Sequence, residues 1–385
     1  MIVCSLISRI VAESIFIWSL VPYQRIRRWI FNSSLSSWLG KDDVKFNEFL
    51  NRAYRQIQVN VQSKVEAQKM VYTEIAKIMT KVATYDSCYN FKVQLKGSAY
   101  DGLKIDKPDE FDFGLLNDAW SGKISLQVDA KTPAGSAYAV PIVKTCLDKF
   151  KIEGTNRLDA RKVRGHLREL VEKAMVDLKL KGLKIKKRPW EGGPAVTFEF
   201  MWTRFPSISI DLAIALELPH WPPPTIARPR PVDTDAKMEL VPKVKHDESA
   251  NPAFWQISTA QIEGQIMKSI DKDGGCRKKV LQLAKYFKGK SKGRWYPLAS
   301  YHLKTILLHM NDEKRQPQYW TQGMLVPRFR DLIDRLLKHL RSDSLPNFFI
   351  PKENLFKGRR DIAVAIGGVN DFLKMLQENP ESLLM

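Results

Sequence analysis

The sequence predicts a mixed α+β protein, with a β-bearing core that carries an acidic site and a helical lobe in the C-terminal part. Three observations carry that prediction. Runs at 91–95, 195–202 and 207–216 alternate or concentrate apolar residues in the manner of strands. The segment 44–83 contains no Gly or Pro and sets Phe46, Phe49, Ala53, Ile57, Val61, Val65, Ile75 and Ile78 at spacings of mostly three and four. Beyond position 257 the apolar spacing turns helical.

A chain of 385 residues buries a large core and divides readily into two lobes. With 44% hydrophobic and 10% aromatic residues it is globular rather than disordered. Lys and Arg number 62 against 42 Asp and Glu, a formal charge of +20 that points to an anionic partner, nucleic acid first and a membrane surface second. The four cysteines, Cys4, Cys88, Cys146 and Cys276, form no CxxC pair and read as reduced, mostly buried thiols of a cytoplasmic or nuclear protein. The six histidines form no ligand cluster with them, and packing accounts for His302 and His309 better than zinc does.

Taken in order, residues 1–40 form an apolar N-terminal segment with helical spacing at Ile2, Val3, Leu6, Ile7, Ile10 and Val11, interrupted by Arg9 and Glu13. The uninterrupted run is too short for a membrane span, and a helix packed on the protein or a loose leader is preferred, with an interfacial membrane contact left open. Residues 44–83 read as one helix of roughly 60 Å that braces two lobes. Its polar face carries Arg52, Arg55, Lys64, Lys69, Lys77 and Lys81. A strand follows, turning at Gly97-Ser98; 120–136 is loop with short strand pieces and 158–180 a helix that leads into the basic run 179–188. The prolines of 219–231 make a connection between lobes or a wrapped segment. Helices are expected over 257–270, 276–287, 298–310, 326–340 and 369–377. The resulting division is 1–40, a core over 41–230 and a helical lobe over 231–385.

The chemistry concentrates at 97–113, GSAYDGLKIDKPDEFDF. In an extended Glu110-Phe111-Asp112-Phe113 segment, period-two geometry sends both carboxylates to one face and both rings to the other. Two like charges that close need a counter-charge, and a divalent cation with oxygen ligands supplies it. Asp211 is the lone acid in the apolar strand PSISIDLAIAL, on the face opposite Ile208, Ile210, Leu212 and Ile214, where a metal role outweighs a surface one. Ser98, opening a helix beside the glycine turn, offers a hydroxyl and backbone N–H groups to an anion. Three carboxylates from two strands with a phosphate turn form the minimal set for metal-assisted nucleotidyl transfer.

These motifs, with LVPK at 240–243, CRKKVLQLAKY and ASYHLKT, resemble in the same order those of cyclic GMP-AMP synthase and the animal cyclic GMP-AMP synthase-like receptors, from about residue 44 to 312. The resemblance implies a nucleotidyltransferase core with a mixed β-sheet, a long bracing N-terminal helix and a C-terminal helical lobe. It makes Glu110, Asp112 and Asp211 ligands of Mg2+ or Mn2+, Gly97 and Ser98 the triphosphate turn, Lys285 and Ser300 phosphate contacts and Tyr301 a ring that stacks on a base. It implies a cyclic dinucleotide made from ATP and GTP as an innate immune second messenger once a duplex binds, with a homo-oligomer on the duplex as a further expectation. The same fold used as a silent scaffold, or to make linear oligonucleotides, is the rival reading.

Two departures stand out. Gln256 occupies the place of a base-selecting arginine, and a neutral amide reads base edges differently from a guanidinium. The family's histidine and cysteine zinc module is missing before Cys276, so no zinc is expected. The stretch 277–294 holds eight Lys or Arg and no acid, and Arg277, Lys278 and Lys279 are expected to face a duplex together with Lys69 and Lys77. Double-stranded RNA is favoured over DNA, on the missing zinc module and the likeness to zinc-less receptors.

Overall fold

The computed structural model describes residues 43–58, 60–180, 183–185, 193–202, 205, 207–243, 251–291 and 293–384. The chain divides into units 1–46 and 47–385, and of the first only 43–46 are described. The expectations for 1–40, helical segment and membrane contact alike, and half of the basic run 179–188 (181, 182 and 186–188) lie outside the described residues.

The single brace expected over 44–83 is two helices, α1 (Asp43–Gln56) and α2 (Val61–Tyr85). Neither Gly nor Pro makes the break. Asn60 caps α2 by accepting the Ser63 N–H at 3.0 Å, and an asparagine side chain that takes an orphan amide favours a helix start at that point. The two halves then pack on different partners. From α1, Phe49 stacks on Phe287 of the helical lobe with ring centroids 5.9 Å apart, whereas α2 buries Ala67, Val71, Ile75, Ile78 and Val82 in the core of the sheets.

After α2 come β1 (Lys92–Lys96), a one-turn helix α3 (Gly97–Tyr100), β2 (Glu110–Leu116), β3 (Ile124–Gln127), β4 (Ser136–Pro141), α4 (Ala160–Asp177) and β5 (Leu183–Ile185). Strands β6 (Ala195–Phe200), β7 (Ile208–Ile214), β8 (Leu216–Glu217), β9 (Glu239–Val241) and β10 (Phe254–Ser258) follow. They form two five-stranded sheets, β1-β2-β7-β6-β5 and β3-β4-β10-β9-β8. The first is mixed, because β2 and β7 run parallel while its other pairs are antiparallel. In β7 buried Ile208, Ile210, Leu212 and Ile214 alternate with half-buried Ser209, Asp211 and Ala213, as period two requires.

Helices α5 (Ala260–Ser269), α6 (Arg277–Lys290), α7 (Ser300–Glu313), α8 (Leu325–Arg341) and α9 (Ile362–Glu378) complete the described chain. The helix expected from 257 begins at Ala260, because Ile257 belongs to β10, where its neighbours Gln256 and Ser258 pair with Val241 and Glu239. No helix among the described residues is long and apolar enough to cross a membrane.

The reading of the cysteines as reduced thiols is corrected for two of them. Cys88 and Cys146 are disulfide-bonded. They lie 58 positions apart in sequence with Cα atoms 5.8 Å apart in the fold, and Trp120 Nε1 donates to Cys146 Sγ at 3.2 Å. Cys276 is free and buried, and Cys4 lies outside the described residues.

One buried ion pair joins the sheets. Lys96, at the end of β1, runs under Gly114 and pairs with Glu239 of β9; the two residues are 8% and 1% exposed. The path requires a glycine, since a Cβ at Gly114 would stand 2.4 Å from Lys96 Cε. Burial holds the Glu239 carboxyl above its ordinary range despite the lysine. Removing one partner strands the other charge, so Lys96→Met is expected to cost about 3–5 kcal/mol in denaturant unfolding, and the double variant Lys96→Met/Glu239→Leu to recover most of it. A single-variant loss under about 1 kcal/mol, the range of an exposed pair, would contradict this description.

Candidate active site

Parallel pairing of β2 with β7 sets Asp112 directly beside Asp211 and Glu110 beside Ser209. Side chains level on neighbouring strands share a face, so the acids converge. Glu110, Asp112 and Asp211 each offer a ligand oxygen, and these oxygens lie within 4.8 Å of one another. Phe111 and Phe113 are 1% exposed beneath them. On β6, the neighbour of β7 on its other side, Thr197 faces Asp211 and donates its hydroxyl to Asp211 Oδ1 at 2.5 Å, which aims the carboxylate.

Burial first, then Glu110 and Asp211, push the Asp112 carboxyl up to about 7. Asp112 has no ion-pair partner among the described residues. Lys104 comes nearest in role, with Nζ 2.7 Å from Asp109 and 3.6 Å from Glu110. A group of carboxylate oxygens with this unmet charge, half-buried at Asp112 and Asp211 and exposed at Glu110, fits a hard divalent cation. When bound, Mg2+ or Mn2+ would neutralise the acids and polarise phosphoryl oxygens.

The turn at Gly97 is pressed against that group. Its φ is +66°, and a Cβ there would fall 1.8 Å from Asp112 Oδ2, so both backbone conformation and space demand glycine. Ser98 follows in α3. Gly97 and Ser98 line a cleft of about 880 Å³ together with Lys104, Glu110, Asp112, Lys285, Ser300 and Tyr301. Lys285 reaches across from α6 and donates to the Leu103 carbonyl at 2.7 Å, and burial lowers its ammonium to about 8. Tyr301 donates its hydroxyl to Glu263 Oε1 at 3.0 Å and receives the Asn347 amide at 3.3 Å, so its ring is held from both sides. Glu263 and Asp101, 1% and 3% exposed, share Lys304 at 2.7 and 3.3 Å, which ties α5, α3 and α7 together under the cleft.

Not every residue expected at the site is there. Gln256 does not line the cleft, and its amide lies 3.4 Å from Glu353 Oε1. Arg277, expected on a duplex, is 3% exposed and donates to Asp273, Asp271 and Asn311, so it staples the start of α6 and presents no surface cation. Lys279 donates to Asn51 at 2.6 Å and sits 4.8 Å from the centre of the Tyr54 ring. Lys278 is half-buried, while Lys69 and Lys77 are exposed on α2, the latter bridged to Glu74 at 2.7 Å. Thr197, Lys104, Lys304 and Glu263 carried no signal in the sequence, since each gains its role only through a neighbour from another element.

Carboxylates level on parallel strands, facing a glycine-serine turn across a lysine-lined cleft, define a nucleotidyltransferase site. The chain belongs to the Mab-21 nucleotidyltransferase family: residues 99–269 match the Mab-21 protein nucleotidyltransferase domain and residues 276–364 the Mab-21 protein HhH/H2TH-like domain. It is 29% identical over 321 residues to cyclic GMP-AMP synthase of Mus musculus, a match that covers 76% of this chain and 61% of that protein. To the cyclic GMP-AMP synthase-like receptor of Aethina tumida it is 26% identical over 343 residues, 82% of this chain and 84% of the relative. The receptor of the same name from Magallana gigas is 27% identical over 292 residues, 69% and 48% of the two chains.

Because Asp112 titrates near 7 rather than at its ordinary 3.8, ionising it destabilises the cation-free fold, a cost absent below about pH 4 and complete above pH 7. At pH 8 in chelator, Asp112→Asn is expected to melt at least about 2 °C above the unaltered protein, and to lose the rise in melting temperature that Mn2+ gives it. Lower stability of the variant in chelator would contradict the assigned repulsion.

Proposed function

We propose that this protein is a duplex-activated synthase that joins ATP and GTP into a cyclic dinucleotide of the cyclic GMP-AMP type, with Mg2+ or Mn2+ held by Glu110, Asp112 and Asp211. The convergence of these carboxylates beside the Gly97-Ser98 turn carries the reading. In it Gly97 and Ser98 hold the triphosphate, Lys285 and Ser300 contact phosphates and Tyr301 offers its ring to a base. The names of the relatives, cyclic GMP-AMP synthase and cyclic GMP-AMP synthase-like receptor, favour the cyclic product. The net charge of +20 and the exposed Lys69 and Lys77, with Lys278 beside them in role, favour a polyanionic activator. Double-stranded RNA is the preferred duplex, read by shape and 2′-hydroxyls.

Purified protein given ATP, GTP, Mg2+ or Mn2+ and duplex RNA is expected to release a phosphatase-resistant dinucleotide, resolved by chromatography. Asp211→Asn is expected to lower its formation by at least about a hundredfold. No product with any duplex, RNA or DNA, under either ion would overturn the proposal, and a linear product would replace cyclisation with oligomer synthesis.

A further inference from the structure

One wall of the cleft carries a cation that neither the sequence motifs nor the site described above employs. On α6, Leu281, Lys285 and Lys288 follow at intervals of four and three, so they share one face, and all three line the cleft. Lys285 has a partner in the Leu103 carbonyl. The Lys288 ammonium makes no hydrogen bond or ion pair among the described residues, although the residue is half-buried, and burial alone draws it below the ordinary range. A half-desolvated ammonium without an anion is a cost to the fold that a bound anion removes.

The surroundings of the two lysines differ in a way that orders them. Lys285 feels Lys104, Glu110, Lys304 and Asp101, the groups around the triad, while none of these acts on Lys288. On the helix Lys288 lies one turn, roughly 4.5 Å, beyond Lys285. There it influences His302, which is buried, held to about 3 and neutral at physiological pH, with Nδ1 accepting from Ala299 N–H at 3.1 Å at the start of α7. The acids that line the cleft, Asp101, Asp106, Asp109, Glu110 and Asp112, all come from the segment 101–112 and none from α6 or α7. The charged residues that α6 and α7 add to the lining are all cations, whereas the acidic segment carries Lys104 as its one lining cation.

Resting on the nucleotidyltransferase reading of the cleft, we propose that Lys288 binds the terminal end of the triphosphate chain of a nucleoside triphosphate, beyond the phosphate reached by Lys285, and so makes the cleft select triphosphates over monophosphates. Equilibrium dialysis of ATP and of AMP, with Mg2+, against the full chain and its Lys288→Met and Lys288→Arg variants tests this. Lys288→Met is expected to weaken ATP about tenfold and to leave AMP within about twofold, since it removes one charge-assisted contact made only by the longer chain. Lys288→Arg, which keeps the charge, is expected to hold ATP within about threefold of the unaltered protein. Unchanged ATP affinity in Lys288→Met, equal loss for ATP and AMP, or no preference for ATP in the unaltered protein would each overturn the assignment. The measurement needs no turnover: a protein that binds ATP through Lys288 but makes no dinucleotide would contradict the proposed function and leave this inference standing.

Discussion

The parallel register of β2 against β7 is the constraint on which the rest of the site depends. It sets Asp112 level with Asp211, with Glu110 two residues back on the same face, and the opposite face is filled by Phe111 and Phe113. Much of the neighbourhood accommodates this arrangement. Thr197 holds one oxygen of Asp211, Lys104 sits near Glu110, and Gly97 leaves room for Asp112 Oδ2 where any Cβ would collide with it. The Asp112 carboxyl, pushed up to about 7, is what remains of the repulsion, and a bound cation of the kind proposed would relieve it.

The Gly97-Ser98 turn is anchored from the helical domain as well as from the strands. Asp101, directly after α3, shares Lys304 of α7 with Glu263 of α5, and Tyr301, one turn earlier on α7, donates to the same Glu263. Lys285 adds a bond to the Leu103 backbone. Residues of the Mab-21 HhH/H2TH-like domain thus fix the main chain on which Gly97 and Ser98 are carried, and the position of that domain bears on the geometry of the turn.

What the sequence made legible follows from periodicity. Alternation exposed the common face of Glu110 and Asp112, and the isolation of Asp211 among apolar neighbours marked it as their partner, because both signals are local and a strand repeats every two residues. The helices of the C-terminal lobe were legible for the same reason at a different period. Features that depend on meetings between distant segments were not. The break at Asn60 hides in a segment without Gly or Pro because the cap is a side-chain hydrogen bond. Strand β10 merges at Ile257 with the apolar pattern of the next helix. Arg277 looked like one more member of a basic run, and only Asp271, Asp273 and Asn311, brought in by the fold, make it an internal staple. Cys88 and Cys146, 58 positions apart, meet only in the fold.

The central claim is that Glu110, Asp112 and Asp211 together hold a divalent cation. Anomalous X-ray scattering from crystals grown with Mn2+ and ATP tests it most directly. The account predicts a manganese peak within coordination distance, roughly 2.0–2.4 Å, of oxygens from all three residues. A peak that leaves out Asp211, or no peak between the strands at saturating Mn2+, would contradict it.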